Sequence, residues 1–306
     1  MGEFKMENQS FENRNVSVNE LKRRLVAISA ENNNRVKTEY GKANLLEQNG
    51  SLSMDAFSAE KGGIYSKEEI EEDKKEIREA ELHFAEVDKR ADKKTQDMLI
   101  AEWKERRIKQ KSGKVEMMVT ILLNKVLGDE FIVMRTADYD DYFAGTDFII
   151  VNKKTGKTIC ALDSVAENDS KLKEGDTPMT IKKSDKTMAI VEKGGADIKY
   201  GVKIKNGEMT LAPLKNMPVF YFDVSDQEYD SLSENTINKE EITKTELKIF
   251  ASFITSLAEQ RKNFLLAADI KKDSVVSQRI ESFEQETLTT FVSIFNKRRL
   301  ELKDKK

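Results

Sequence analysis

The chain has 306 residues, 38% hydrophobic and 35% charged; against the usual ~45–50% and ~25%, this excludes a wholly compact globule and calls for solvated helix or disorder beside a core. At about twice a common domain length, it reads as one large domain with appendages or as two modest ones. The 52 Lys and Arg against 55 Asp and Glu leave a net charge of -3, so no overall field draws the chain to nucleic acid or acidic lipid, and a polyanion partner requires a local patch.

Cys160 and His83 each occur once. That excludes a disulfide framework within the chain, a multi-Cys zinc site, a paired-His metal helix and an iron–sulfur cluster held by one chain. No apolar stretch approaches the ~18 residues of a membrane span, and the N-terminus lacks the apolar core of a signal peptide. The expectation is a soluble, cytoplasmic protein with no membrane partner.

Residues 1–66 read as a largely flexible segment with one amphipathic helix beginning near Ser17 and carrying Leu21, Leu25, Val26 and Ile28. Ser66 and Glu69 form a capping-box pattern that opens a Lys/Glu-rich stretch over 67–112, expected as one long helix. Its apolar residues Ile70, Ile77, Phe84 and Ala91 recur every seven positions, which suits either a coiled-coil homodimer or an arm lying on its own domain. Val115, Met118, Val119, Leu122, Leu123, Val126 and Leu127 make a broad helix face that ends at Gly128, so this helix belongs in a core.

Three strands follow, Phe131–Met134, Asp147–Val151 and Ile159–Val165, with an acidic turn over Asp138–Tyr142 and a hairpin turn at Gly156. A helix is expected from Asp176 and Pro178 to Gly194 and Gly195. Strands over 197–205 and 208–214 flank an Asn206-Gly207 hairpin signal, and Val219–Val224 completes the sheet. Two long helices, roughly 239–268 and 275–303, close the chain as an antiparallel pair separated near Asp273. The division is therefore a flexible 1–66, a charged helix over 67–112, an α/β core over 113–235 and a helical hairpin over 236–306.

Gly156-Lys157-Thr158 resembles the end of a phosphate-binding loop, but position 151 is Val where that motif needs Gly, and the triplet sits in a hairpin. A more informative arrangement is Asp147 opening one strand and Asp163 near the end of the next. Antiparallel pairing about a turn near 155 sets them almost opposite each other, where two carboxylates and water suit a hard cation, Mg²⁺ or Mn²⁺. A buried, unpaired Asp163 is costly, so a metal, a hydrogen bond or solvent must satisfy it. An ordinary strand-end role in turn hydrogen bonding is the competing reading for both residues.

With these residues in place the chain resembles the PD-(D/E)XK nuclease-like superfamily. Its core runs helix, three-strand meander, helix, strand. An acidic residue opens the second strand, an acidic residue and a Lys stand two apart in the third, and the first helix often carries a Glu. The matches are Glu116, Asp147 in Gly145-Thr-Asp147, and Asp163 in Ala161-Leu-Asp163-Ser-Val165, within about 114–224. The chain is also similar to proteins of small-genome bacteria with a like Gly-x-Asp…Cys-Ala-x-Asp pattern.

The resemblance implies an α/β fold with a mixed sheet, flanked here by long N- and C-terminal helices. It further implies a metal-dependent phosphodiesterase acting on nucleic acid, with Asp147, Asp163 and Glu116 as metal ligands. The family Lys position is Val165, so a catalytic Lys must come from elsewhere: Lys199 first, then Lys203 or Lys182. Otherwise the core is a non-catalytic scaffold or protein-interaction module. The net negative charge of the core itself gives no support to a DNA-gripping surface.

Overall fold

In a computed structural model the described residues are 17–166, 185, 186, 188–190, 192–238, 241–271, 274–283 and 287–304. The first helix, α1 (Val18–Tyr40), begins after Ser17 as expected and ends at Gly41, whose φ of 72° is the left-handed conformation of a helix C-cap. Leu21, Leu25 and Val36 on it are buried. The stretch from Asn44 to Tyr65 is irregular but tied down: Leu46 bridges Leu52, Ser51 bridges Arg135, and Phe57 is fully buried. The flexible segment expected over 1–66 is therefore, from residue 17 onward, tied to the core, because most of its few apolar side chains are buried, Val26 and Ile64 excepted.

The single helix expected over 67–112 is divided. Helix α2 (Lys67–Phe84) opens with the capping box, Ser66 accepting from the Glu69 amide at 3.1 Å and Glu69 accepting from the Ser66 amide at 2.8 Å. It ends at Ala85 and Glu86, the latter at φ 54°. Asp92 then caps α3 (Lys93–Lys109) by accepting from the Thr95 amide. Of the seven-residue stripe, Ile70 and Ile77 are buried in the protein's own core, whereas Phe84 is 53% exposed. Ile70 and Ile77 are thus used within the chain, while Phe84 is left at the surface.

Helix α4 (Lys111–Leu127) carries the broad apolar face onto the sheet and stops at Gly128. The strands β1 (Phe131–Arg135), β2 (Phe148–Asn152) and β3 (Thr158–Ala166) form the expected antiparallel meander. The acidic run between β1 and β2 is a short helix, α5 (Asp138–Phe143), rather than a plain turn.

Past β3, the start of the expected helix over 176–195 lies outside the described residues, while 185, 186 and 188–190 are helical. Four short strands follow: β4 (Ala196–Ile198), β5 (Val202–Lys205), β6 (Glu208–Leu211) and β7 (Leu214–Met217). Asn206 and Gly207, at φ 54° and 81°, make the mirror-image turn that their sequence predicts. These strands do not extend the main sheet; β4 pairs with β7 and β5 with β6 as two separate ribbons. Strand β8 (Val219–Val224) joins the main sheet parallel to β3, giving the order β1-β2-β3-β8.

Helix α6 (Asp226–Asn238), too poor in apolar residues to be read from the sequence, precedes α7 (Lys244–Lys271). The second expected C-terminal helix is two, α8 (Ser274–Phe283) and α9 (Thr289–Asp304), and the separation near Asp273 lies outside the described residues. Both faces of the main sheet are covered. Phe131, Phe148, Leu162 and Phe222 pack under α1, α4 and α7–α9, while Ile132, Ile149, Ala161 and Val219 pack against α2 and the ribbons. That two-sided burial explains why β1 and β2 read as continuous apolar runs rather than alternating ones. The chain is an α/β protein with a mixed sheet flanked by long helices. Among the described residues, no helix is long and apolar enough to cross a membrane.

Candidate active site

Phe148 pairs with Leu162 across β2 and β3, so the next positions outward are Asp147 and Asp163, side by side at one end of the sheet as the hairpin arithmetic predicts. The register breaks only farther along, between Ile150 and Val151, which carries Ile159 to the helix-covered face instead of the face of Asp163. The Asp147 amide donates to Leu162 O at 2.7 Å and its carbonyl accepts from the Thr136 amide at 2.9 Å, which fixes its backbone between β1 and β3. Its Oδ2 accepts from the Ser164 amide at 2.7 Å and from the Ser164 hydroxyl.

Asp163 is 3% exposed. Burying a carboxylate costs several kcal/mol without a counter-charge, and one is present: Lys186 Nζ lies 3.8 Å from Asp163 Oδ2 and donates to Gly145 O at 3.5 Å. Gly145 sits at φ 64°, and a Cβ there would run into the Lys186 ammonium, so glycine serves both the turn and the approach of the lysine. Val165 fills the position the motif assigns to Lys and is buried. Lys186 comes from the helical segment after β3, whereas Lys182, the sequence candidate, lies outside the described residues. Nothing local in the sequence singles out Lys186.

Glu116, on α4, is closed onto Arg135 at the end of β1. Burial lowers the Arg135 pKa, while the charges of Asp141, Asp147 and Asp138 oppose that shift. Glu116 and Arg135 border a cleft of about 430 Å³ whose lining includes Arg107, Asp138, Asp141 and Tyr142. Burial, followed by the neighbouring charge of Asp147, pushes Asp141 up to about 6, against the pull of Arg107 and Arg135. Glu116 is therefore paired with Arg135 rather than turned toward Asp163, while the Asp147 charge acts on Arg135 without an ion pair between them.

Lys199 is elsewhere. Its Nζ lies 2.7 Å from the Asp73 carboxylate and 5.3 and 5.1 Å from the ring centres of Tyr65 and Tyr139, tying α2 to the loop after β4. Lys203 is exposed on β5. Of the four residues expected to form the site, the structure brings together Asp147 and Asp163, turns Glu116 toward β1 and removes Lys199. Cys160 is fully buried and burial pushes its thiol pKa up, as suits a small core residue. His83 is exposed at the end of α2.

Among the described residues, no group of three or more His, Cys, Asp or Glu could hold a metal ion. A cage made wholly of protein donors is thus not formed there. Mg²⁺ is commonly held by one or two carboxylates, with water and a substrate phosphate completing the shell, and the Asp147–Asp163 pair fits that donor set. Compared with family models, curated proteins and solved structures, the chain matches none.

Proposed function

We propose that the chain is a divalent-metal-dependent phosphodiesterase acting on nucleic acid, with Asp147 and Asp163 as ligands of Mg²⁺ or Mn²⁺ and Lys186 as the lysine that Val165 displaces from the motif. The observation that supports it is the ammonium of Lys186 at 3.8 Å from the buried carboxylate of Asp163, itself opposite Asp147. When bound, the metal would polarise the scissile phosphate and make its water more acidic. Ser164 holds one oxygen of Asp147 in place, Asp163 supplies the second anion, and Lys186 offsets charge that develops on the phosphate in the transition state. Glu116 is not needed in this arrangement.

The second reading, a non-catalytic interaction module, has an observation of its own: Glu116 and Lys199 are spent on Arg135 and Asp73. Labelled single- and double-stranded DNA and RNA incubated with Mg²⁺ or Mn²⁺ separate the two. Metal-dependent cleavage is expected, abolished in Asp163→Asn and reduced about 10²-fold in Lys186→Met. Lys199→Met, which touches Asp73, should leave the specific activity of the folded protein unchanged. Intact substrates under every condition would sink the enzymatic reading and leave the module.

A further inference from the structure

We infer that the groove between the β2–β3 turn and the two ribbons holds the phosphodiester backbone of nucleic acid. It measures about 670 Å³, and Lys157, Lys203, Lys205 and Lys215 line it, with no Asp or Glu in the lining among the described residues. On a chain of net charge -3, this is the local patch that a polyanion partner requires. The four lysines are scattered over the sequence, and three local features bring Lys157, Lys203 and Lys205 together.

First, Gly156 takes φ 70° and accepts from the Ile204 amide at 2.7 Å, with Ile204 O so close that a side chain would not fit. Second, Asn152 Oδ1 accepts from the amides of Lys154 and Thr155 at 2.9 and 3.0 Å, and the Thr158 hydroxyl donates to Val202 O, so the turn is clamped against β5. Third, strand alternation puts Lys203 and Lys205 on one face of β5, opposite Val202. Both lysines are exposed. The acids at the edge are Asp197, 2.7 Å from Lys215, and Glu208, which pairs with Lys205 across the hairpin.

Phosphates laid along such a lysine-lined groove release counterions on binding, which supplies salt-dependent affinity. Lys157 immediately precedes β3 and Asp163 lies farther along it, roughly 20 Å away at the usual strand rise, so a strand held in the groove has to extend that far to meet both carboxylates. The choice of nucleic acid rests on the reading above, which this inference deepens by naming how the polymer is gripped.

The test needs no cleavage. Anisotropy of labelled DNA and RNA strands of about 20 nucleotides is followed in EDTA from about 50 to 200 mM salt. Binding that weakens with salt is expected, and Lys203→Gln/Lys205→Gln should cut affinity about tenfold or more and lower the log–log salt slope by about 2. The Lys157→Gln single variant checks the opposite wall if the double variant melts early. Absence of binding at the lowest salt, an unchanged slope in folded groove variants, or equal competition by polyglutamate overturns the groove. Normal binding without cleavage supports the groove and defeats only the enzymatic reading; cleavage with unaltered binding in the groove variants defeats only the groove.

Discussion

Asp140 shows how much one side chain can carry that its neighbours in sequence do not announce. It is 1% exposed, and its two oxygens accept from the amides of Lys199 and Tyr200 at 2.7 and 2.9 Å. Burial nevertheless pushes its pKa up to about 6, with the nearby Asp73 charge adding to that and Lys199 opposing it. Between about pH 4 and 6 the native carboxyl keeps a proton that the unfolded chain has released, so its stabilisation is complete below the lower value and is lost as pH rises through 6. Urea denaturation should therefore show wild type losing, relative to Asp140→Asn, on the order of 2 kcal/mol between pH 4.5 and 7. A difference that does not change with pH refutes this assignment. The positions of Asp147 and Asp163 could be read from the sequence because one hairpin sets both. Lys186 and the partners of Asp140 could not, since each is joined through contacts distant along the chain.

Among elements, α4, the β1–β3 meander and the Asn206-Gly207 ribbon follow from apolar period and turn chemistry, and the structure has them where those signals lie. The break between α2 and α3 leaves no such mark. There is neither Pro nor Gly from Lys67 to Ser112, and the chain turns instead through Glu86 at positive φ and the Asp92 cap. Ile77 packs with the cluster that includes Phe57, Ile132 and Ile149. Ile77→Glu is consequently expected to cost several kcal/mol by burying a charge without a partner, and to lower the melting temperature rather than change the molecular mass. Phe84 stacks beside Trp103 and Tyr142 on the surface, so Phe84→Ser should cost only about 1 kcal/mol. Light scattering beside thermal melts checks both; a mass that halves in either variant would restore the dimer. Ser66→Ala tests the capping box on its own, with an expected loss of about 1 kcal/mol.

At the scale of the whole molecule, composition pointed to a smaller core than the chain has. The low apolar fraction in 1–66 argues that removing residues 1–60 is harmless, yet Leu21, Leu25, Val36, Leu45, Leu52 and Phe57 are each 2% exposed or less. At about 1.5–3 kcal/mol for each such side chain, their joint loss is comparable to the whole stability of a typical domain, ~5–15 kcal/mol. The truncated chain is expected to lack a cooperative melt by circular dichroism, and an unchanged transition would mean that α1 is dispensable. Composition counts apolar residues but says nothing of where they go; a few Leu and Phe in a polar segment can all be core. The same limit hid the two ribbons, whose strands carry the alternation of a sheet edge without any sign of which sheet they join.

The parallel pairing of β3 with β8 sets an order of events as well as a shape. Ala161 meets Val219 only after the segment carrying Lys186 and both ribbons has been looped between them, whereas β1, β2 and β3 close through short turns. Long loops cost more entropy to close and slow the step that needs them, so the meander is expected to form early and β8 to dock late. During synthesis the apolar underside of the meander must wait for α7–α9, which are made last. In refolding, fluorescence of Trp103, the single tryptophan, should recover ahead of hydrogen-exchange protection of the β8 amides, because β8 pairs with β3 only when that loop has shut.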